Sequence, residues 1–213
     1  MAVDPHNPLI TYSCLQTRHS VRQSPDMARK VRMGFIGVGA MGYSHLQLFH
    51  QECRGQAEAV ALCASNPERI QRALEVAPDM ALHKKESDLI QSDLDAVVIS
   101  SPNFTHVPLA LETLKAGKHV FLEKPVGITT TECRKLLRAT QKSNRVLMIG
   151  HELRFSAYFA KIKHLIDHGA VGTPHMTWCK EFRGPSSQKA VTGFRTAAKA
   201  EAASWTRIVI TLI

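Results

Sequence analysis

Long apolar runs are missing from this chain of 213 residues: none approaches the roughly 20 residues that a membrane helix requires, so a helical membrane protein is not expected. Paired cysteines are missing too. Cys14, Cys53, Cys63, Cys133 and Cys179 form no C-x-x-C pair and no His/Cys ligand spacing, which argues against a disulfide framework and against a zinc site. A reducing compartment, the cytoplasm, is the simplest setting. Residues 1–30 lack the apolar core of a secretory signal. Their Pro-, Ser- and His-rich, aperiodic composition reads as a disordered leader, with a transit peptide as the alternative and Met27 and Met33 as alternative starts.

Acidic residues are in deficit, 18 against 27 basic ones, which raises the question of a nucleic-acid partner. The distribution answers it. Arg18, Arg22, Arg29, Lys30 and Arg32 stand against Asp4 and Asp26 near the start, and Lys189, Arg195, Lys199 and Arg207 against Glu201 at the end. Those two ends hold two thirds of the net charge of +9, and the residues between them carry no basic stripe interleaved with aromatics. Neither a nucleic acid nor a membrane is expected as partner. With 44% hydrophobic and 21% charged residues, the composition is that of a soluble globular protein.

What is present begins at Val31. Val31 to Ile36 is a short apolar run suited to a strand buried on both faces, and Gly37-Val38-Gly39-Ala40-Met41-Gly42 supplies G-x-G-x-x-G before helical spacing sets in over Met41 to Phe49. The spacing predicts a strand, a glycine turn and a helix. Gly37 allows the tight turn, Gly39 has no Cβ to block a pyrophosphate, and Gly42 lets the helix pack against the strand. The helix start offers free N–H groups and partial positive charge to phosphates.

The pattern then alternates. Strands are expected at Ala57 to Cys63, Asp95 to Ser100, His119 to Leu122 and Val146 to Ile149. Helices are expected at Glu68 to Val76, Val107 to Ala116 with Gly117 as its cap, and Thr131 to Ser143. Such alternation implies an α/β fold, a Rossmann-type doubly wound parallel sheet, with ligands at the carboxyl ends of the strands. At the second strand's end Ala64 stands where an Asp or Glu normally takes the ribose 2′-hydroxyl of NAD. Its absence removes repulsion against a 2′-phosphate, and Ser65, Asn66 and Arg69 are candidate donors to one, so NADP is favoured over NAD. Ser65-Asn66-Pro67 reads equally as a cap for the next helix, and both roles can hold together.

Several motifs in order carry a family resemblance: the glycine turn, Pro102-Asn103-x-x-His106, Ala116-Gly117-Lys118-His119-Val120, and above all Glu123-Lys124-Pro125. Gly150 to Phe155 and Gly169 to Trp178 add to it. From about Val31 to Pro185 the chain resembles the Gfo/Idh/MocA oxidoreductases, NAD(P)-dependent enzymes acting mostly on sugars, inositols and related polyols. The resemblance implies that Pro102 and Asn103, next to Ser101, line the adenosine and ribose side of the cofactor. It also implies that Glu123 and Lys124, followed by Pro125 and an expected cis Lys124-Pro125 bond, lie beside the nicotinamide ribose. Lys124 would then reach the oxygen of the reacting carbon, and a partly desolvated lysine near a cationic nicotinamide can share a proton with a substrate hydroxyl. For His106, a structural or capping role and a cofactor contact stand side by side.

The resemblance places residues 31–150 in the dinucleotide-binding domain and 151–185 at the start of an α+β substrate domain, with a helix over Phe155 to His168 ended by Gly169 and a strand over His175 to Phe182. In intact relatives that second domain forms the substrate platform and a homo-oligomer contact, and it supplies a downstream histidine. Residues 186–213 do not continue the resemblance. An alternative reading frame, open across the codons of Lys189 to Ile213, can be written to carry a Trp, a Gly-rich turn and a His-His-apolar-Asp order, so a frameshifted tail is expected there. Local propensity offers the other reading, a helix over Thr196 to Ala203 and a strand over Arg207 to Ile213. The functional expectation is hydride transfer between a nicotinamide and a polyol or sugar; the alternative is a dinucleotide-binding fragment without turnover.

Overall fold

The computed structural model describes residues 29–181 and 207–211. The leader up to residue 28 and the expected Thr196 to Ala203 helix lie outside the described residues. Eight strands and six α-helices are described: β1 Val31–Ile36, α1 Ala40–Glu52, β2 Ala57–Cys63, α2 Pro67–Val76, β3 Ala81–His83, α3 Glu86–Gln91 and β4 Ala96–Ile99 come first. Then follow α4 His106–Lys115, β5 His119–Leu122, α5 Thr130–Lys142, β6 Leu147–Ile149, α6 Ala157–Asp167, β7 Thr177–Glu181 and β8 Arg207–Thr211.

Six strands form one sheet in the order β3-β2-β1-β4-β5-β6, every neighbouring pair parallel. The chain starts in the middle, winds outward through β2 and β3, then returns to β4 beside β1 and winds the other way. That is the doubly wound topology, and its reversal point lies between β1 and β4.

Alternation along the central strands shows why both faces are covered. Ile36, Ala61, Cys63, Val97 and Ile99 point to one face, where Leu89 and Ile90 of α3, Ala110 and Leu114 of α4 and Leu136 of α5 pack on them. Met33, Phe35, Leu62, Ala96 and Val98 point to the other, against Leu46 of α1 and Ala73 of α2. Strands apolar on both sides are what a sheet between two helix layers requires. Burial pushes the Cys63 thiol up to about 11, with Glu86 and Asp88 adding to it, so this cysteine is an apolar packing group.

The helices sit within two or three residues of the expected spans. Two elements were not anticipated, β3 and α3, and the expected helix from Phe155 is split: a short 3-10 turn occupies Glu152–Phe155 and α6 begins at Ala157. Gly117 and Gly169 take φ of 74° and 70° at the ends of α4 and α6, the left-handed turn that stops a helix. Beyond α6, β7 pairs antiparallel with β8, Thr177 opposite Thr211 and Glu181 opposite Arg207.

Candidate dinucleotide site

The site starts at the glycine turn. Gly37 has φ of 85°, and a Cβ placed on it would lie 2.8 Å from the backbone oxygen of Ser100, so neither the conformation nor the space admits another residue. A Cβ on Gly42 would lie 2.2 Å from the Gly37 oxygen, which is how the first turn of α1 comes down onto the end of β1. Gly39 differs. Its Cβ position meets only Arg69 Nη1, at 3.8 Å, so the space above it is open on the ligand side.

Gly39 is also the N-cap residue of α1 and makes no side-chain cap, and the first turn holds no acidic residue. The N–H groups that open α1 therefore have no carboxylate or hydroxyl cap from the helix's own start, and the helix dipole adds positive potential there. Close by, the Ser100 hydroxyl is buried at the end of β4 without a hydrogen-bond partner. An open glycine and an uncapped helix start at the reversal point fit the pyrophosphate of a dinucleotide.

At the end of β2, Ala64 is half-buried, and Ser65 and Asn66 are exposed. Asn66 Oδ1 accepts the Arg69 N–H at 2.9 Å and Pro67 follows at the first helical position, so Asn66 is the cap of α2. Its oxygen is thereby occupied. The Arg69 guanidinium swings over Gly39, which brings the one cation of this group toward the phosphate side of the site.

At the end of β4, Ser101 Oγ and Thr105 Oγ1 lie 2.6 Å apart, and Thr105 donates to the Pro102 oxygen at 2.8 Å. This closes the 3-10 turn Asn103–Thr105 that leads into α4. His106 has a different place from the cofactor contact considered for it. It is 1% exposed, with Nδ1 2.7 Å from the Pro125 oxygen and Nε2 3.0 Å from the Ser101 oxygen. Both ring nitrogens are engaged, so His106 ties together the loops that carry Ser101 and Pro125 and leaves no nitrogen for a ligand.

At the end of β5, Glu123 is buried, 5% exposed, and Lys124 is largely accessible. Glu123 Oε1 meets His45 Nε2 of α1 at 2.7 Å and Oε2 accepts the Lys124 backbone N–H at 3.0 Å. A carboxylate out of water needs such partners. His45 is a residue that sequence reasoning missed. The Lys124-Pro125 bond is cis. The Lys124 amine lies 3.6 Å from Glu152 Oε1 in the turn after β6. A hydrogen bond from its own backbone holds the Glu152 carboxyl below the usual carboxylate range, and the Lys124 charge works in the same direction. Among the described residues no group of three or more His, Cys, Asp or Glu converges on a metal position. No described helix is long and apolar enough to cross a membrane.

The carboxyl ends of β2, β1, β4 and β5 are thus neighbours in one row, carrying Ser65 and Arg69, the glycine turn, Ser101 to Asn103, and Lys124 in that order. Comparisons with known proteins find relatives that share this fold. Inositol 2-dehydrogenase of Salmonella paratyphi B is 33% identical over 149 residues, 68% of this chain and 44% of that protein. The crystal structure of scyllo-inositol dehydrogenase from Lactobacillus casei, with bound NAD(H) and scyllo-inositol, superposes with a TM-score of 0.64 at 26% identity, over 70% of this chain and 44% of that one. The WlbA dehydrogenase from Bordetella pertussis, in complex with NADH and UDP-GlcNAcA, does so with a TM-score of 0.62 at 29% identity, over 70% and 44%. The chain spans less than half the length of each of these relatives. Residues 31–151 match the family described as an oxidoreductase family with an NAD-binding Rossmann fold, and this chain belongs to it, the Gfo/Idh/MocA family.

Proposed function

We propose that the chain binds NADP through the row of strand ends and that Lys124 serves proton transfer in the interconversion of a polyol or sugar hydroxyl and its ketone. The observation that carries the reading is the placement of Lys124 at the end of β5, two strands from the glycine turn of β1, with β4 between them. When bound, the nicotinamide supplies hydride acceptance and donation. The chain's own part is to hold and to move a proton. The N–H groups at the start of α1 hold the phosphates, Ser101, Pro102 and Asn103 flank the adenosine half, and the Lys124 Nζ shares a proton with the substrate oxygen.

Preference for NADP rests on Ala64, which puts no carboxylate beside the 2′ position, and on Ser65 and Arg69, exposed donors at the end of β2 and in the first turn of α2. A polyol of the inositol kind is the proposed substrate, by likeness to the relatives named above. Titration of nicotinamide fluorescence tests the cofactor part directly. The chain should bind NADPH more tightly than NADH by about tenfold, a ratio that Arg69→Ala brings near one. Equal affinities in the unchanged chain overturn the NADP assignment. Turnover with NADP and a panel of inositols, lost in Lys124→Met while binding persists, tests the catalytic part. Binding without turnover in the unchanged chain leaves a dinucleotide-binding fragment as its function.

A further inference from the structure

We infer that His45 is a positioning residue for Lys124: acting through the buried carboxylate of Glu123, it ties the phosphate-binding helix to the loop that aims the lysine. The inference rests on the reading of Lys124 given above, but its structural half stands without it.

The chain of contacts is short. His45 lies on α1, one turn past Gly42, and its ring stands edge-on against Phe121 of β5 with centroids 4.9 Å apart and planes at 71°. That packing restricts the ring. An ionised carboxylate only accepts, so the 2.7 Å contact with Glu123 Oε1 makes Nε2 the protonated nitrogen of His45. The other oxygen, Oε2, takes the backbone N–H of Lys124 at 3.0 Å. A side chain folded onto the amide of the next residue fixes the peptide plane between them, and with it the direction in which the Lys124 side chain leaves the strand end.

Glu123 has little choice of position. A Cβ on Gly150 would lie 2.9 Å from Oε1, so the end of β6 closes the carboxylate in on that side, and its own backbone N–H is bonded to Ile99 of β4 at 2.9 Å. Without His45, a carboxylate 5% exposed would keep one hydrogen bond and face an unpaired desolvated oxygen. It would turn toward water, and that movement releases the Lys124 amide. His106 holds the same loop one residue further on, at the Pro125 oxygen, so Lys124 sits between two fixed points.

Two variants and two readouts test this. His45→Leu removes the donor and keeps an apolar side chain against Phe121; His45→Gln keeps an N–H within reach of Glu123. The first readout is hydrogen exchange of the Lys124 amide in the chain without nucleotide. It is expected to quicken about tenfold or more in His45→Leu, relative to amides of β4, and to return toward the original rate in His45→Gln. The second is binding of NADPH against 2′-phospho-ADP-ribose, which lacks the nicotinamide. His45→Leu should weaken NADPH about tenfold and leave the shorter ligand within about twofold, since only the nicotinamide end meets the Lys124 loop. An unchanged Lys124 amide, or equal weakening of both ligands, overturns the inference. A chain that binds neither ligand overturns the proposed function instead, and the exchange measurement then decides the role of His45 alone.

Discussion

Close approach, at the scale of single residues, separates the glycines of the turn. Gly42 has the Gly37 oxygen 2.2 Å from where a Cβ would stand, and backbone cannot yield as a flexible side chain can. Gly42→Ala should therefore lower stability by about 1–3 kcal/mol in urea unfolding and weaken dinucleotide binding, because the start of α1 must move to admit the methyl. Gly37, Gly39 and Gly42 were legible in the sequence because each answers a local demand at fixed spacing, whereas the Glu123-Lys124-Pro125 motif stood out only through the family resemblance. His45 was not. Its partner is 78 residues away, and no spacing within α1 distinguishes it from a surface histidine on an exposed helix face. His106 stood between two readings for a related reason: that both its nitrogens meet carbonyl oxygens depends on Pro125, which only the folded β4–β5 pairing brings near.

Caps decide the helix starts at the scale of elements. Thr129 accepts the Glu132 N–H at 3.2 Å while the Glu132 carboxylate takes the Thr129 N–H at 3.2 Å, a reciprocal box that opens α5. Thr129→Ala should cost about 1 kcal/mol in urea unfolding, with the loss of helix signal confined to the first turn of α5 by hydrogen exchange. The expected span of that helix began one residue late because the box was not used as a start signal. β3 and α3 escaped for a different reason. They are three and six residues long, too short for either period to repeat, and α3 starts after Lys85, which makes no side-chain cap. α3 is held by what it packs against, Leu89 and Ile90 being fully buried under the sheet, and β3 by its parallel pairing with β2. The two central strands were plain, since residues buried on both faces leave an unbroken apolar run.

For the molecule as a whole, folding is linked to pH through the joint between β5 and β6. His119 Nδ1 accepts the Val146 N–H at 3.0 Å, so the ring serves that joint when neutral. Burial lowers its pKa below the ordinary 6.5, and Arg145 lowers it further against a smaller opposing effect of Asp95. The folded chain thus binds fewer protons than the unfolded one below that value. The stability this gives is fully present above 6.5 and is lost as pH falls toward the folded value. Urea midpoints measured at about pH 7.5 and about pH 5.5 should fall between the two, and fall less in His119→Gln, whose amide oxygen accepts the same N–H without titrating nearby. The six-stranded sheet that this joint helps to close is bounded by its two shortest strands, β3 and β6, three residues each. Each rim therefore offers a foreign strand only about 10 Å of ladder. A second chain adding there would gain too few bonds to offset the order it loses, and the blunt rims guard against runaway strand-by-strand growth of this sheet.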